Sequence, residues 1–119
     1  MTTLQGLAIL VVEDQPIIAM DIVQALTDAG ARVSRAIRLK EALAALKQAV
    51  PDAAILDHAL GDGDASALCE ELDKQGIPYV VYTGDPAITG PCSDAPQLQK
   101  PASNTTLIDK LREAISQKH

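Results

Sequence analysis

Residues 7–14 read Leu-Ala-Ile-Leu-Val-Val-Glu-Asp, an unbroken apolar run that stops at two carboxylates. Such a run, rich in branched side chains, is typical of a strand buried on both faces of a parallel sheet. Glu13 and Asp14 would follow its carboxyl end, where open α/β sheets bind ligands. Like charges about 4 Å apart repel by roughly 4 kcal/mol at an effective dielectric of 20, a cost that a bound cation would relieve. The alternative is that both acids are solvated and cap the next helix.

Short apolar segments alternate with amphipathic ones along the rest of the chain. Four further strands are predicted, at residues 32–36, 53–57, 78–83 and 97–99. The first of these is the most polar and is expected at an edge of the sheet. Helical spacing of apolar residues fills most of the intervals. Regular alternation predicts parallel strands joined by right-handed crossovers, and therefore a three-layer α/β sandwich in one domain, residues 1–119.

The segment Gly84–Pro96 breaks this alternation. It contains two glycines and three prolines, so a regular helix of three turns is not expected there. At most a single turn fits around Pro86–Thr89. In the last interval, Ser103 is predicted to cap the final helix, whose apolar face includes Leu107 and Leu111.

Composition excludes several classes of function. The net charge is −6, and the aromatic side chains of the Phe, Trp and Tyr class are limited to two tyrosines. Binding to nucleic acid is therefore not expected, because it needs clustered basic residues or stacking platforms. No apolar run is long enough to span a membrane, and the N-terminus lacks the pattern of a signal peptide. The expectation is a cytoplasmic protein.

Cysteine and histidine usage gives no indication of a metal site. Cys69 and Cys92 lie far apart with no second pair, so neither a disulfide framework nor a zinc site is predicted. Both are expected to be free thiols in a reducing compartment. The two histidines, His58 and His119, are too few for a histidine-based site.

Polar residues end the predicted strands in a pattern that suggests one shared site. Glu13, Asp14, Asp57, Thr83 and Lys100 each fall at or just beyond a strand's carboxyl end. Three carboxylates and one ammonium leave a charge that an oxygen-binding divalent cation such as Mg²⁺ would neutralise. The lysine can pair with a carboxylate or a transferred anion, and the hydroxyl can donate to that anion. One of the acids can act as a nucleophile toward a phosphoryl group.

Four motifs in this order resemble the receiver domain of two-component response regulators. They are Val-Val-Glu-Asp (11–14), Ile-Leu-Asp (55–57), Tyr-Thr-Gly (82–84) and Lys-Pro (100–101). The resemblance covers essentially the whole chain. It implies a flavodoxin-like (βα)5 fold with sheet order 2-1-3-4-5 and, in this chain, a shortened or missing fourth helix.

The resemblance also implies roles for the matching residues. Asp57 would be the phosphoacceptor. Mg²⁺ would be bound by Glu13, Asp14, Asp57 and the backbone carbonyl of Ala59. A sensor histidine kinase or histidine phosphotransfer protein would supply the phosphoryl group. On this interpretation the chain is not an enzyme, although it assists its own Mg²⁺-dependent phosphorylation and dephosphorylation.

Two further residues receive roles in the response to phosphorylation. Thr83 would be the switch hydroxyl, and Lys100 would pair with the phosphate. The bond Lys100–Pro101 is expected to be cis, as it usually is in similar domains. A downstream protein partner would read the resulting local movement.

The chain departs from the family pattern at several positions. Gln97 replaces an aromatic residue, Gly61 replaces a proline, and Ala65 replaces a common glycine. The interval from Thr83 to Lys100 is short. These departures put the usual output route in doubt, and the hypothesis is that signalling relies on ordering of Gly84–Pro96.

The combination of departures resembles atypical stand-alone receivers with a Phe-Ala-Thr-Gly motif. Thr83 and Gly84 match that motif, whereas Val81 and Tyr82 replace its first two residues. The expected function is a single-domain response regulator that signals through protein contact or passes the phosphoryl group on.

The sequence offers two alternatives to this function. An unphosphorylated interaction module would keep the fold without the chemistry. A metal-dependent phosphohydrolase would need a second acid where Ala59 stands. His58 has two interpretations, either a surface loop residue or a group that influences hydrolysis of the acyl phosphate.

Overall fold

The opening apolar run forms an inner strand of a parallel sheet, β1 (Ala8–Val12), whose last four residues are all buried. The computed structural model describes residues 4–60, 63–84 and 90–117. The other elements, in chain order, are α1 (Pro16–Asp28), β2 (Arg32–Ala36), α2 (Leu39–Gln48), β3 (Ala53–Leu56), β4 (Ala59–Leu60), β5 (Gly63–Asp64), α3 (Ser66–Gln75), β6 (Tyr79–Thr83), a 3-10 helix (Gly90–Asp94), β7 (Gln97–Gln99) and α4 (Asn104–Gln117).

The main sheet has the order β2-β1-β3-β6-β7, with every neighbouring pair parallel. Numbered among themselves, these strands run 2-1-3-4-5, which confirms the predicted flavodoxin-like fold. The polar strand β2 lies at an edge, as expected. The chain adds β2 on one side of β1 and β3 on the other, and because β1 and β3 are parallel neighbours their carboxyl ends lie side by side.

Alternating side chains of the sheet pack into two separate cores. One face is covered by α2 and α3, and its buried residues include Leu10, Leu56, Val81, Leu46 and Leu72. The other face is covered by α1 and α4, and its buried residues include Ile9, Ile55, Val80, Leu26 and Leu111. Because both faces are covered, the central strands β1 and β3 are apolar throughout, and polar residues follow at their carboxyl ends.

The helix boundaries follow the sequence at two positions. Ser103 Oγ accepts the Thr106 N–H at 3.1 Å, which confirms that Ser103 caps α4. Gly30 follows α1 with φ of 95°, a conformation that favours glycine. None of the helices in the described ranges is long and apolar enough to cross a membrane.

The segment after Asp57, expected to be a loop, begins a short antiparallel hairpin. Ala59 pairs with Asp64 and Leu60 with Gly63, while residues 61–62, including Gly61, lie outside the described residues. Leu60 is buried in the core beside α2 and α3. Burial of this one apolar side chain favours the folded-back hairpin over a conformation in which the segment extends into solvent.

In the connection from β6 to β7, the described residues, 84 and 90–96, contain no α-helix. They form the 3-10 helix, which agrees with the prediction of a shortened or missing fourth helix. The predicted turn at Pro86–Thr89 lies outside the described residues. Gln97 Nε2 donates to the carbonyls of Cys92 and Ser93 at 3.3 and 3.2 Å, so this side chain ties β7 to the 3-10 helix.

The cysteines correct the expectation of two free thiols, because Cys69 on α3 is bonded to Cys92 in the 3-10 helix. Their Cα atoms are 5.4 Å apart, and both residues are fully buried. They are 23 residues apart in sequence. The prediction was wrong because α3 packs against the 3-10 helix, and sequence spacing gives no measure of that distance in space.

Reduction of this bond should lower the free energy of unfolding. Closing a loop of this length restricts the unfolded chain and is worth about 3 kcal/mol in the loop-entropy description. Urea unfolding with and without a dithiol reductant measures the difference. The Cys69→Ser/Cys92→Ser double variant is the control, since the reductant should leave its midpoint unchanged. Equal midpoints for the native sequence, or two thiols titrating in the unreduced, denatured protein, would contradict the pairing.

Candidate functional site

Three carboxylates meet at the carboxyl ends of β1 and β3. Glu13 and Asp14 follow β1, and Asp57 follows β3; one oxygen of each lies within 4.8 Å of the others. The parallel register, which pairs Val12 with Leu56, brings the two strand ends side by side. Glu13 is 2% exposed and Asp57 is 7% exposed, so most of this negative charge is shielded from water.

The alternative that both acids are solvated helix caps does not hold. Gln15 occupies the N-cap position of α1, and no side chain caps the helix there. Glu13 is buried, and its Oε2 accepts the Gln15 N–H at 3.3 Å. Asp14 is half-buried, and one of its oxygens lies within 4.8 Å of oxygens of the other two acids.

Lys100 provides the positive charge of the site. Its Nζ lies 3.0 Å from Glu13 Oε1 and 3.2 Å from Asp57 Oδ2, so one ammonium joins the ends of two strands. Its backbone N–H donates to the Thr83 carbonyl at 2.7 Å. The Lys100–Pro101 bond is cis, as the resemblance implied.

The electrostatics of the site are dominated by burial and mutual charge. Burial raises the pKa of Glu13, the hydrogen bond from Lys100 opposes that shift, and the charge of Asp57 adds to it; the balance lies above the ordinary value. Burial alone would lower the pKa of Lys100. Its hydrogen bond to Glu13 and the charge of Asp57 reverse this, and the pKa lies above its usual value. The ammonium therefore stays charged, and its single positive charge compensates only part of the negative charge of the three carboxylates.

The donor set suits a hard divalent cation. One carboxylate oxygen from each of the three acids lies within 4.8 Å of the other two, so the three side chains would share one bound ion. Asp57 Oδ1 accepts the Ala59 N–H at 3.2 Å, and Oδ2 faces Lys100, so the orientation of this carboxylate is fixed from two sides.

Two further residues predicted near the site, Thr83 and His58, are both at least partly buried. Thr83 ends β6, which is next to β3, and is 3% exposed. It therefore belongs to the same edge of the sheet as the acids. His58 is half-buried rather than a fully exposed loop residue, and its Nε2 is buried without a hydrogen-bond partner in the described part of the chain.

Sequence reasoning missed two residues that support the site. Arg35 on β2 donates from Nη2 to the Glu13 carbonyl at 3.1 Å. The Tyr82 ring lies beneath Lys100, with 5.5 Å between its centroid and Nζ. The signal in the sequence that could have identified Arg35 is its position near the end of a strand beside β1.

Comparison with known proteins is consistent with this geometry. The sequence model of the response regulator receiver domain matches residues 9–112. No curated protein sequence matches the chain. The chain therefore belongs to the response regulator receiver family through the family match, which spans most of its length.

Solved structures of similar proteins share the fold. A putative response regulator from Chloroflexus aurantiacus is 26% identical, with a TM-score of 0.83 over 94% of this chain and 99% of that one. A CheY-like receiver domain protein from Methanospirillum hungatei is 25% identical, with a TM-score of 0.85 over 95% and 96%. A response regulator receiver protein from Sinorhizobium medicae, at 24% identity and a TM-score of 0.86 over 96% and 98%, supports the fold alone.

Removing one site acid should stabilise the protein when no divalent cation is present. We expect Asp14→Asn to raise the free energy of unfolding by about 1 kcal/mol in EDTA, because it relieves repulsion from two nearby carboxylates. Urea unfolding measures this change. Asp21→Asn, at an exposed position on α1, is the matched control and should change it little. Equal effects of the two substitutions would show that repulsion at the site is negligible.

Proposed function

We propose that the chain is a phosphorylatable receiver in two-component signalling, with Asp57 as the acceptor of a phosphoryl group. The observation that carries the proposal is the pairing of Lys100 Nζ with both Glu13 and Asp57 beside a third carboxylate. This arrangement places a lysine ammonium beside the buried nucleophile, where a transferred anion would arrive.

The three acids are the groups that would hold Mg²⁺. Glu13, Asp14 and Asp57 would each supply a carboxylate oxygen, and the family pattern adds the backbone carbonyl of Ala59. When bound, the cation supplies charge neutralisation for the oxygens of the phosphoryl group. The close spacing of the carboxylate oxygens and the burial of Glu13 and Asp57 support this assignment.

The chain's own residues would carry the transfer. An Asp57 oxygen would attack phosphorus in line, and the bond from phosphorus to the imidazole nitrogen of a partner's phosphohistidine would break as the new bond forms. Lys100 would pair with the developing phosphoryl oxygens. The Ala59 N–H, which donates to Asp57 Oδ1, would hold the carboxylate in place during the attack.

The phosphorylated state would differ locally from the free state. Lys100 would redistribute its contacts between Glu13 and the new dianion, and Thr83 would donate its hydroxyl to a phosphoryl oxygen. Because Thr83 directly precedes the β6–β7 connection, a shift of Thr83 would pass into that connection. A downstream protein would read this change, or the phosphoryl group would pass on to another histidine.

Substitution of the acceptor tests the proposal directly. Asp57→Asn should abolish modification by acetyl phosphate in Mg²⁺, since an amide cannot form the acyl phosphate. Intact-mass spectrometry measures the phosphorylated fraction. Asp21→Asn should be modified like the native sequence, and EDTA should prevent modification of both. Undiminished modification of Asp57→Asn would overturn the assignment and favour an interaction module without this chemistry.

The metal ligands can be tested without phosphorylation. Calorimetric titration should show that Glu13→Gln and Asp14→Asn each weaken Mg²⁺ binding by at least about tenfold, because affinity depends on ligand charge. Asp21→Asn serves again as the control with the same change in net charge as Asp14→Asn. Retained affinity in both site variants would place the cation elsewhere.

A further inference from the structure

Tyr82 makes contacts that no role assigned so far explains. It is 8% exposed on β6, directly before Thr83. Its hydroxyl donates to the Ala102 carbonyl at 3.2 Å and accepts the Ala102 N–H at 3.0 Å. The same side chain places its ring 5.5 Å from Lys100 Nζ. One residue of β6 thus contacts both the ammonium of the site and the backbone just beyond it.

We propose that Tyr82 is a positioning residue for phosphoryl transfer, which fixes the segment Lys100–Ala102 to β6 and so sets where the Lys100 ammonium stands. The inference rests on the proposed function and adds a residue to it. Tyr82 is not itself a catalytic residue, because it reaches the reacting groups only through Lys100.

The surroundings of Lys100 show why such a support is needed. The strand that precedes it, β7, has only three residues and lies at the edge of the sheet. A lysine side chain has several rotatable bonds, so the position of its ammonium is well defined only when the backbone that carries it is fixed. The backbone is held on one side by the Thr83 carbonyl and on the other by the paired bonds from Tyr82 to Ala102.

The neighbouring strand does not provide an equivalent support in the described residues. Gln97, on β7, directs its amide to the carbonyls of the 3-10 helix, away from the Lys100 segment. Leu98 pairs in register with Tyr82 and has no polar group in its side chain. The hydrogen-bonded connection from a side chain of the sheet to the residues after Lys100 therefore comes from β6.

The ring contact adds a second effect. The negative face of a tyrosine ring attracts an ammonium within about 6 Å. This attraction favours lysine rotamers that keep Nζ between Glu13 and Asp57, instead of rotamers that extend into solvent. Loss of the hydroxyl alone and loss of the whole ring should therefore have graded effects.

Tyr82→Phe and Tyr79→Phe form a matched pair for the test. Both residues lie on β6, both are buried, and the Tyr79 hydroxyl donates to Asp73, away from the acidic site. We expect Tyr82→Phe to weaken Mg²⁺-dependent binding of beryllofluoride, a phosphoryl mimic, by about three- to tenfold, which corresponds to the net contribution of about one hydrogen bond. The two bonds to Ala102 are lost with and without the mimic, so only their effect on the position of Lys100 enters the affinity. Tyr82→Leu should weaken it further, and Tyr79→Phe should leave it unchanged.

Two further readouts separate positioning from general destabilisation. Affinity for Mg²⁺ alone should stay within about twofold in Tyr82→Phe, because the three carboxylates remain in place. Hydrogen exchange at the Ala102 amide should become faster in Tyr82→Phe than in Tyr79→Phe, since that amide loses its acceptor. Equal beryllofluoride affinity in the two variants would overturn the positioning role.

The native sequence provides a test that does not depend on the folding of a variant. Its two tyrosines allow labelling with fluorotyrosine, with the Tyr79→Phe spectrum assigning the two signals. Addition of Mg²⁺ and beryllofluoride should shift the signal of Tyr82 and leave that of Tyr79. An unchanged Tyr82 signal with beryllofluoride bound would contradict the proposal, whereas failure of the native protein to bind beryllofluoride would contradict the proposed function itself.

Discussion

The rest of the structure depends on one unfavourable arrangement, the close approach of three carboxylates at the ends of two parallel strands. The proposed site requires this arrangement. Glu13, Asp14 and Asp57 repel one another, and two of them are almost fully buried. Lys100, directly after the edge strand β7, compensates part of this charge. The rest of the protein supplies the apolar burial that holds the acids together. Stability and function are therefore in direct opposition at this edge.

The two cores explain how the acids are kept in place. Each face of the sheet packs its own pair of helices, so β1 and β3 are held from both sides and cannot shift without disrupting both layers. Support from the two strands that flank this pair, β2 and β6, is of a different kind. Arg35 on β2 and Tyr82 on β6 reach the site through polar contacts with backbone atoms. The central strands β1 and β3 are thus positioned by packing, whereas Arg35 and Tyr82 act on the site through hydrogen bonds.

Sequence reasoning was sufficient where the determining residues are close together in the chain. The run from Leu7 to Asp14, and the acid that ends the segment 53–57, indicated both the strands and their polar ends, because parallel topology places those ends at one edge. It was insufficient where the determining contact joins distant segments. The Cys69–Cys92 bond, the Arg35 contact and the buried Leu60 of the hairpin each depend on packing that local patterns do not encode.

The bond between Cys69 and Cys92 has a mechanical consequence. It closes a covalent ring of chain that contains the whole of β6, with Tyr82 and Thr83 inside it. Force applied to the two chain ends would extend the segments before and after the ring, while the ring itself could not be drawn out. At about 3.5 Å per residue, roughly 80 Å of the chain's contour length would not contribute to its extension. The strand that carries Tyr82 and Thr83 is thus protected from tension applied along the chain.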